Sequence, residues 1–215
     1  MKQMAGDALQ IVRGSFSMED PWALPSSCAI TRLRRSTDAS APRLATTVCP
    51  WYDAEYLNVV FSAADDHIQA TMTGRDDPIY NEDVVEVFLA PGDPRTYYEI
   101  EVSPLGTLLD AKIESPHGVR SSMTADFEWN CEGIVAAVRQ TTEVNGSVTV
   151  DTVIRIPFGA FGLSGPPAGK TWKGNFFRID RHPVAGDEYT AWRPTLRDPP
   201  DFHVAAAFGS LKFLK

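Results

Sequence analysis

Short runs of alternating apolar and polar residues predict β-strands, because successive strand side chains point to opposite faces. The predicted strands are Ala45–Val48, Tyr56–Ser62, Ile68–Thr73, Asp83–Ala90, Tyr97–Ser103, Leu108–Ile113, Ile134–Gln140, Ser147–Arg155, Lys173–Asp180, Glu188–Trp192 and Ala206–Phe213. Helical periodicity is scarce, and one helical turn is predicted within 156–163. This pattern predicts an all-β fold: an antiparallel β-sandwich of immunoglobulin-like or jelly-roll-like architecture with minimal helix.

Turn residues separate the predicted strands. Asn145-Gly146, between two alternating runs, predicts a tight β-hairpin. Pro91-Gly92 and the segment 103–106 indicate further turns. The Gly/Pro-rich segment 165–169 is interpreted as a loop, because strand patterns continue beyond it. The sequence therefore predicts a single domain over residues 1–215.

Carboxylates interrupt two otherwise apolar strands between Asp76 and Ser103. The predicted faces set Val84, Glu86 and Phe88 opposite Val85, Val87 and Leu89, and Tyr97, Glu99 and Glu101 opposite Tyr98, Ile100 and Val102. Burying a carboxylate among Val and Phe is costly unless it is paired. The face that carries Glu86, Glu99 and Glu101 is therefore predicted to be open to water or organised around a polar group.

An arginine stands in the middle of a later predicted strand. Alternation places Asn175 on one face with Phe177, and Arg178 on the other. If Arg178 and Glu86 face the same interior, they can form a bidentate pair. Such a pair would be either a structural strut or a platform for a polar ligand.

Composition and charge narrow the classes of function. The chain has 215 residues, of which 43% are hydrophobic, and a formal net charge of -8. An acidic balance disfavours nucleic-acid binding, which needs a basic surface. No apolar run is long enough for a membrane span or a signal peptide. The expectation is a soluble protein, cytoplasmic as written, or secreted or periplasmic if a leader has been removed.

The cysteines and histidines give no metal or catalytic template. Cys28, Cys49 and Cys131 lack CxxC spacing, which disfavours zinc, and they are interpreted as small buried residues, with a Cys28–Cys49 disulfide left open. The histidines lie far apart in the sequence, and no GxSxG motif occurs. Glu99 and Glu101 could act as a glycosidase pair, although an i, i+2 pair is also typical of a solvated strand face.

Several segments in order resemble the carbohydrate-binding modules of family 9, within the broader group of DOMON-like sandwich domains. They are YLNVVF at 56–61, DVVEVFL at 83–89, YYEIEVSPLGT at 97–107, IRIPF at 154–158, WKGNFFR at 172–178, YTAW at 189–192 and the stretch from Phe202-His203 to Phe208-Gly209. The resemblance covers residues from about Trp22 to Phe213.

The resemblance implies an antiparallel β-sandwich that binds sugars, as mono- or oligosaccharides, without cleaving them. It implies a terminal sugar held between aromatic faces, with Trp192 as one platform and Tyr80 as the opposing face. Tyr80 stands where well-characterised sugar binders of this family use a Trp.

The polar residues implied for hydrogen bonds to sugar hydroxyls are Arg178, Glu86, Glu99 and Asn175. The resemblance also implies a structural calcium ion. The acidic pairs Asp65-Asp66 and Asp76-Asp77 are candidates for it, because calcium takes oxygen ligands.

Two other functions stay open. Related sandwich domains bind haem b for electron transfer through Met with His or Lys, and Met72, Met123, His67 and His117 offer such ligands. A glycoside-processing enzyme that uses Glu86 or Glu99 is the second alternative. Neither alternative is supported by a characteristic motif spacing in this sequence. Non-catalytic sugar binding is the leading hypothesis.

Overall fold

Strands and four short 3-10 turns make up the regular structure of the residues that the computed structural model describes, which are 8–142, 144 and 146–215. The strands are β1 (Leu9–Arg13), β2 (Thr31–Arg32), β3 (Arg34–Arg35), β4 (Thr46–Tyr52), β5 (Tyr56–Asp65), β6 (Val84–Ala90), β7 (Thr96–Val102), β8 (Leu108–Glu114), β9 (Thr124–Asp126), β10 (Val135–Thr142), β11 (Val148–Pro157), β12 (Thr171–Asp180), β13 (Glu188–Ala191) and β14 (Gly209–Phe213). The 3-10 turns are Ile79–Asn81, Arg120–Ser122, Phe158–Phe161 and Ala205–Ala207.

All but one of the predicted strands overlap an observed strand, and the predicted helical turn is the 3-10 turn Phe158–Phe161. Asn145 lies outside the described residues, and the two strands that it was predicted to join pair antiparallel, with Thr142 opposite Val148. The short strands β1, β2, β3 and β9 were not predicted. They have five residues or fewer, which is too short for a clear alternation.

The predicted strand Ile68–Thr73 is wrong, because carboxylates bind the backbone of this segment in place of a neighbouring strand. The Gln69 N–H donates to Asp83 Oδ2 at 2.6 Å. The N–H groups of Thr71 and Met72 both donate to Glu82 Oε2, at 2.6 and 3.2 Å. Backbone polar groups need partners whether or not a sheet supplies them, so the segment stays irregular without losing hydrogen bonds.

Two curved sheets pack face to face as a β-sandwich. One sheet runs in the order β10, β11, β5, β4, and the other in the order β14, β12, β6, β7, β8, β9. β13 pairs with β12, and the pairing within both sheets is antiparallel. The all-β sandwich predicted from the sequence is confirmed.

One strand makes the pairing mixed. β1 runs parallel to β14 of one sheet through Leu9 to Ile11, and parallel to β4 of the other through Val12 and Arg13. It therefore bridges the two sheets along one edge of the sandwich. The strictly antiparallel architecture of the prediction is corrected in this respect.

Apolar side chains pack on both faces of the sheet that contains β6, β7 and β12. Between the sheets, Phe61 of β5 meets Phe176 of β12 at a ring distance of 6.2 Å. Val87 and Ile100 belong to this inner cluster. On the outer face, Phe88 and Phe177 join residues of the loop 202–208 in a second buried cluster. The second cluster surrounds the site described below.

Candidate functional site

A cavity of about 400 Å³ lies on the outer face of the sheet, beside the second apolar cluster. Its floor is formed by β6 and β7. Its walls come from the turn Ile79–Asn81, the segment around Arg120, the end of β12 and the loop before His203. The lining residues are Tyr80, Asn81, Glu86, Glu99, Glu101, Leu109, Arg120, Met123, Ala125, Phe127, Ile179, Arg181, Tyr189, Pro200, Phe202 and His203.

The strand register brings three carboxyl groups together on the cavity floor. Glu86 lies directly opposite Glu101, and Glu99 lies one pair further along, opposite Phe88. Each of the three contributes a carboxyl oxygen that lies within 4.8 Å of the other two. All are at least nine-tenths buried. The predicted alternation of faces on these two strands is confirmed, since Val87 and Ile100 point into the sandwich instead.

Burial and mutual repulsion raise the pKa of all three carboxyl groups of the floor. Burial raises the pKa of Glu86 well above its usual value, and the charge of Glu99 adds to the effect. Burial raises the pKa of Glu99 to about 7. The pKa of Glu101 is also raised well above its usual value, by burial first and by Glu86 next. Both causes disfavour the charged form of a carboxyl group.

Polar atoms in the cavity have incomplete hydrogen bonding within the protein. Glu101 is fully buried, and no N–H or hydroxyl group of the described residues donates to its carboxyl oxygens, which share a hydrogen bond only with the neighbouring Glu99 carboxyl. Nε of Arg181, on the wall, is buried without a partner. Buried polar groups are nearly always hydrogen-bonded, so these atoms mark places where a bound molecule would complete the hydrogen bonding.

Arg181 ties two aromatic wall residues to the end of β12. Its guanidinium donates to the Tyr80 carbonyl at 2.7 Å and also to the Tyr189 hydroxyl. A further bond to Asp187 balances its charge. The turn that carries Tyr80 and the strand that carries Tyr189 are therefore held in a fixed relation across the cavity.

The opposite wall carries a neutral histidine. His203 Nδ1 lies 2.7 Å from the Tyr97 hydroxyl, and Nε2 lies 3.8 Å from Glu99 Oε1. Burial lowers the pKa of His203 to about 3, with a further contribution from Arg120. The imidazole is therefore uncharged at neutral pH, and it does not form an ion pair with Glu99.

Aromatic rings form the apolar part of the walls. Phe202 stacks on Phe177 at 4.2 Å with an interplanar angle of 17°, which fixes its ring beside the floor. Tyr189 meets Phe202 edge to face at 5.9 Å. Tyr80 is 41% exposed, so one face of its ring is available at the cavity mouth. Phe127 is also exposed and lines the same cavity.

Three of the predicted site residues, Tyr80, Glu86 and Glu99, meet in this cavity. Trp192 does not, and the groove predicted between Trp192, Tyr80 and Arg178 is not formed. The half-buried Trp192 ring packs on Phe176 of the inner cluster at 5.8 Å. It also lies against Gly209, where a Cβ would be 2.4 Å from the ring. The indole fills space at the sandwich edge, because the chain after β13 turns toward the inner cluster.

The Asn175 side chain forms hydrogen bonds with the backbone next to Trp192. Its side-chain amide donates to the Arg193 carbonyl at 2.8 Å, and its oxygen accepts the Arg193 N–H at 2.9 Å. The side chain is fully buried. These bonds fix the segment that follows β13, so the structure places Asn175 away from the cavity.

The predicted pair of Glu86 with Arg178 is wrong. Phe177 is the β12 residue opposite Glu86, so its neighbour Arg178 points to the other face of the sheet. There Arg178 donates to Asp65 at 2.8 Å and to Asp180 at 2.9 Å, with further bonds to Thr46 and the Ala64 carbonyl. Of the two roles left open for Arg178, this is the structural one.

Sequence reasoning missed several residues of the cavity. Alternation along β12 could have found Arg181, which follows Phe177 and Ile179 on the face of Glu86. Other missed residues come from loops, from a 3-10 turn and from the short strand β13, whose position relative to the floor has no periodic signature. These are Arg120, Phe127, Tyr189 and Phe202.

The acidic pairs predicted for calcium bind groups of the protein instead. Asp65 accepts bonds from Arg178 and the His67 N–H, and Asp66 pairs with Arg43. Asp77 accepts the Gly74 N–H at 2.7 Å. Cationic side chains and backbone N–H groups therefore already bind Asp65, Asp66 and Asp77. Calcium binding stays a prediction.

The candidate haem ligands Met72, Met123, His67 and His117 do not come together in the cavity. Met123 lines it, but the histidine beside it there is His203. The ring of His67 lies 5.2 Å from that of His182 instead.

Fold and cavity together define a β-sandwich with a ligand cavity on the outer face of one sheet, lined by aromatic rings and buried carboxyl groups. The sequence profile of carbohydrate-binding family 9 matches residues 26–213. The chain belongs to this family, as the order of its motifs predicted.

Relatives and solved structures agree with this assignment. An extracellular protein of Arthroderma benhamiae is 25% identical over 197 residues, which cover 86% of each chain. The structure of a proposed carbohydrate-binding protein from Bacteroides uniformis has a TM-score of 0.77 at 20% identity, over 97% of this chain and 99% of that one. A family 9 module from Caldicellulosiruptor kristjanssonii in complex with cellotriose has a TM-score of 0.58 at 15% identity, over 97% and 94%.

A family 9 module from Caldicellulosiruptor kristjanssonii in complex with glucose has a TM-score of 0.54 at 13% identity, over 96% of this chain and 95% of that one. Among the described residues of the present chain, no helix has the length and apolar character needed to cross a membrane.

Proposed function

We propose that the cavity floored by Glu86, Glu99 and Glu101 is the carbohydrate-binding site of this protein. The observation that carries the proposal is the combination, in one cavity, of aromatic rings with buried polar atoms whose hydrogen bonding is incomplete. Both the Glu101 carboxyl and Arg181 Nε are of this kind.

The chemistry of the lining suits a sugar. The C–H faces of a pyranose ring pack on aromatic rings, while its hydroxyl groups donate and accept hydrogen bonds. Tyr80, Tyr189 and Phe202 supply the rings, and the floor and Arg181 supply the polar partners. The volume of about 400 Å³ lies in the range of small-molecule sites. We therefore propose that one sugar unit enters the cavity and that the rest of an oligosaccharide extends past Tyr80.

Glucose and short glucose oligosaccharides are the first ligands to test, because family 9 modules of this fold have been solved with glucose and cellotriose.

We propose further that the sugar is bound without being cleaved. A retaining glycosidase needs an ionised nucleophile beside a protonated acid. Here burial raises the pKa of Glu99 to about 7 and those of Glu86 and Glu101 well above their usual value, so below pH 7 the floor offers mainly protonated carboxyl groups and not an ionised nucleophile. This supports binding over catalysis.

A secreted location is also proposed. An extracellular relative supports it, and so does the Cys28–Cys49 disulfide of the structure, since disulfides persist mainly in oxidising compartments. Thiol trapping on protein taken from its host tests this proposal. Reduced Cys28 and Cys49 would contradict it.

Tyr80→Ala tests the site. Removing the ring at the cavity mouth is expected to raise the Kd for the best-bound glucose oligosaccharide about tenfold, a loss of about 1.4 kcal/mol of binding free energy. Isothermal titration calorimetry measures it.

The matched control for this experiment is Tyr98→Ala. Tyr98 lies on the same strand as Glu99 but on the opposite face, where it packs on Trp129. The Tyr98→Ala variant should have the wild-type Kd for the sugar, even if its melting temperature is lower. Equal Kd values for wild type and Tyr80→Ala would reject this cavity as the site. Turnover of aryl-glycosides that is abolished by Glu86→Gln would instead show an enzyme.

A further inference from the structure

Among the described residues, two groups of three buried acidic side chains have oxygens that lie within 4.8 Å of one another. One group, Asp65, Asp83 and Asp180, lies around Arg178, which donates to Asp65 at 2.8 Å and to Asp180 at 2.9 Å. There a cation of the protein itself binds between the carboxylates. The other group is the cavity floor.

The floor has no corresponding cation from the protein. The two arginines of the cavity wall make their charged bonds elsewhere, Arg120 with Asp201 and Arg181 with Asp187. His203 is neutral, and no N–H or hydroxyl group of the described residues donates to the oxygens of the fully buried Glu101, whose neighbour is another carboxyl group, that of Glu99. A lining of aromatic rings and a volume of about 400 Å³ indicate an organic molecule, since a bare metal ion would leave most of the cavity empty.

We infer that the cavity selects sugars that carry a protonated primary amine, with the ammonium group on Glu86, Glu99 and Glu101 and the sugar ring against the aromatic walls. The inference rests on the proposed function and names the class of sugar. An ammonium group has three N–H donors and no acceptor, which matches a floor of three carboxyl groups.

The spacing of the floor fits a nitrogen atom. A point between three oxygens that lie within 4.8 Å of one another can be placed at most about 2.8 Å from each, which is the length of a charge-assisted N–H···O bond. A sugar hydroxyl has a single proton to donate, so it can satisfy only one carboxylate in this position. The amine therefore gains contacts that a neutral sugar cannot make.

Binding of the ammonium group requires the floor to ionise. The titratable and charged groups that face the three carboxyl groups are Tyr97, Arg120, Arg181, Asp201 and His203. Burial lowers the pKa of His203 far below neutral pH, so the imidazole does not take up protons displaced from the floor, and these are released to the buffer. Binding of a neutral sugar does not require the floor to ionise, so it releases no protons to the buffer.

Calorimetry with D-glucosamine, D-glucose and N-acetyl-D-glucosamine at pH 6.5 tests the inference. Glucosamine is expected to bind about tenfold or more tightly than glucose, because hydrogen bonds to charged groups are the stronger kind. N-acetylglucosamine, which carries a neutral amide at the same position, should not exceed glucose. Titrations in two buffers of different ionisation enthalpy should show proton release for glucosamine alone.

Glu101→Gln and Glu99→Gln should each bring the ratio of the two Kd values, glucose to glucosamine, close to one. The ratio is measured within one variant, so a smaller folded fraction does not affect it. Glu114→Gln is the matched control, since Glu114 is exposed at the end of β8 and pairs with Lys112. It should keep the wild-type ratio.

The outcomes separate this inference from the proposed function. Equal binding of glucose and glucosamine in the cavity would overturn the amine preference and leave the sugar site intact. Failure of all of these sugars and of cellotriose to bind would overturn both. Calcium or manganese that binds in the absence of sugar, and is lost in Glu101→Gln, would show that the floor is a metal site and overturn the inference.

Discussion

Glu101 occupies a position that is energetically costly in the ligand-free protein. It is fully buried, it faces Glu86 across the strand pair, and no N–H or hydroxyl group of the described residues donates to its oxygens. Like charges placed opposite each other destabilise a sheet, and a buried unpaired charge is costlier still. The folded protein reduces this cost by holding a proton on the carboxyl group.

That proton makes stability depend on pH. The pKa of Glu101 is higher in the folded than in the unfolded chain, so the folded state binds more protons between the two values. The free energy of unfolding therefore falls as pH rises through this window. Glu101→Gln should remove part of the fall and be more stable than wild type at pH 8, with a smaller difference at pH 5.

Urea unfolding at pH 5, 7 and 8 measures this difference. Asp83, whose pKa burial raises to about 6, contributes equally to both proteins and cancels. Glu114→Gln should keep the wild-type dependence on pH. Parallel curves for wild type and Glu101→Gln would refute the explanation.

At the scale of elements, β12 is stabilised on its inner face by a buried guanidinium. Arg178 joins β12 to the end of β5 through Asp65, and it also neutralises Asp180 within its own strand. Because both sheets contribute to these bonds, Arg178 fixes the spacing of the two sheets where β5 ends.

Arg178→Met should destabilise the fold strongly. Removing one partner of a buried ion pair leaves unpaired charge in the interior, at a cost of about 3–5 kcal/mol. Chemical denaturation gives the change in free energy of unfolding. Arg95→Met, which breaks an exposed ion pair with Asp93 in a turn, should have no measurable effect. A loss for Arg178→Met no larger than that for Arg95→Met would show that the pair is not structural.

Element positions could be predicted well where a strand has one apolar face. β6, β7 and β12 alternate clearly, and the structure confirms their faces. The segment 68–73 also alternates apolar and polar residues, yet its backbone bonds to the side chains of Glu82 and Asp83 instead of to another strand. Hydropathy alone cannot distinguish these cases, because both satisfy the backbone.

At the scale of the whole molecule, the Cys28–Cys49 disulfide fastens the long segment between β1 and β2 to β4. It closes a loop of 21 residues. The bond lies beside Trp51 and Val60, on the outer face of the sheet that contains β4 and β5. This face is on the opposite side of the sandwich from the cavity floored by Glu86, Glu99 and Glu101. Its contribution is therefore to stability.

Reduction of this bond should cost about 3 kcal/mol, the chain-entropy value for a loop of this size. A Cys28→Ser, Cys49→Ser double variant should show the same lowering of the melting temperature, with sugar affinity unchanged. Cys131 is a buried free thiol whose pKa burial raises to about 12, so Cys131→Ser serves as the cysteine control. A melting temperature that is insensitive to reductant would contradict the assignment.

The floor of the cavity could be predicted from the sequence, and its walls could not. Glu86, Glu99 and Glu101 follow from strand alternation and register. Tyr189, Phe202 and Arg120 are separated from the floor by loops, so only the folded chain brings them there. The family resemblance implied Trp192 as an aromatic platform, and its packing on Phe176 shows that a Trp in a matching motif need not line the cavity.

β6 and β7 line two compartments at once, since odd and even positions face opposite ways. Val87 and Ile100 maintain the sandwich, while their neighbours Glu86 and Glu101 form the cavity floor. Mutation can therefore explore new ligand preferences at the floor positions while the sandwich core stays as it is. A one-residue insertion within β6 or β7 would move the following side chains to the opposite face, so that core residues would point into the cavity and floor residues into the core. Such an insertion should therefore be far more harmful than one in the turn 91–95.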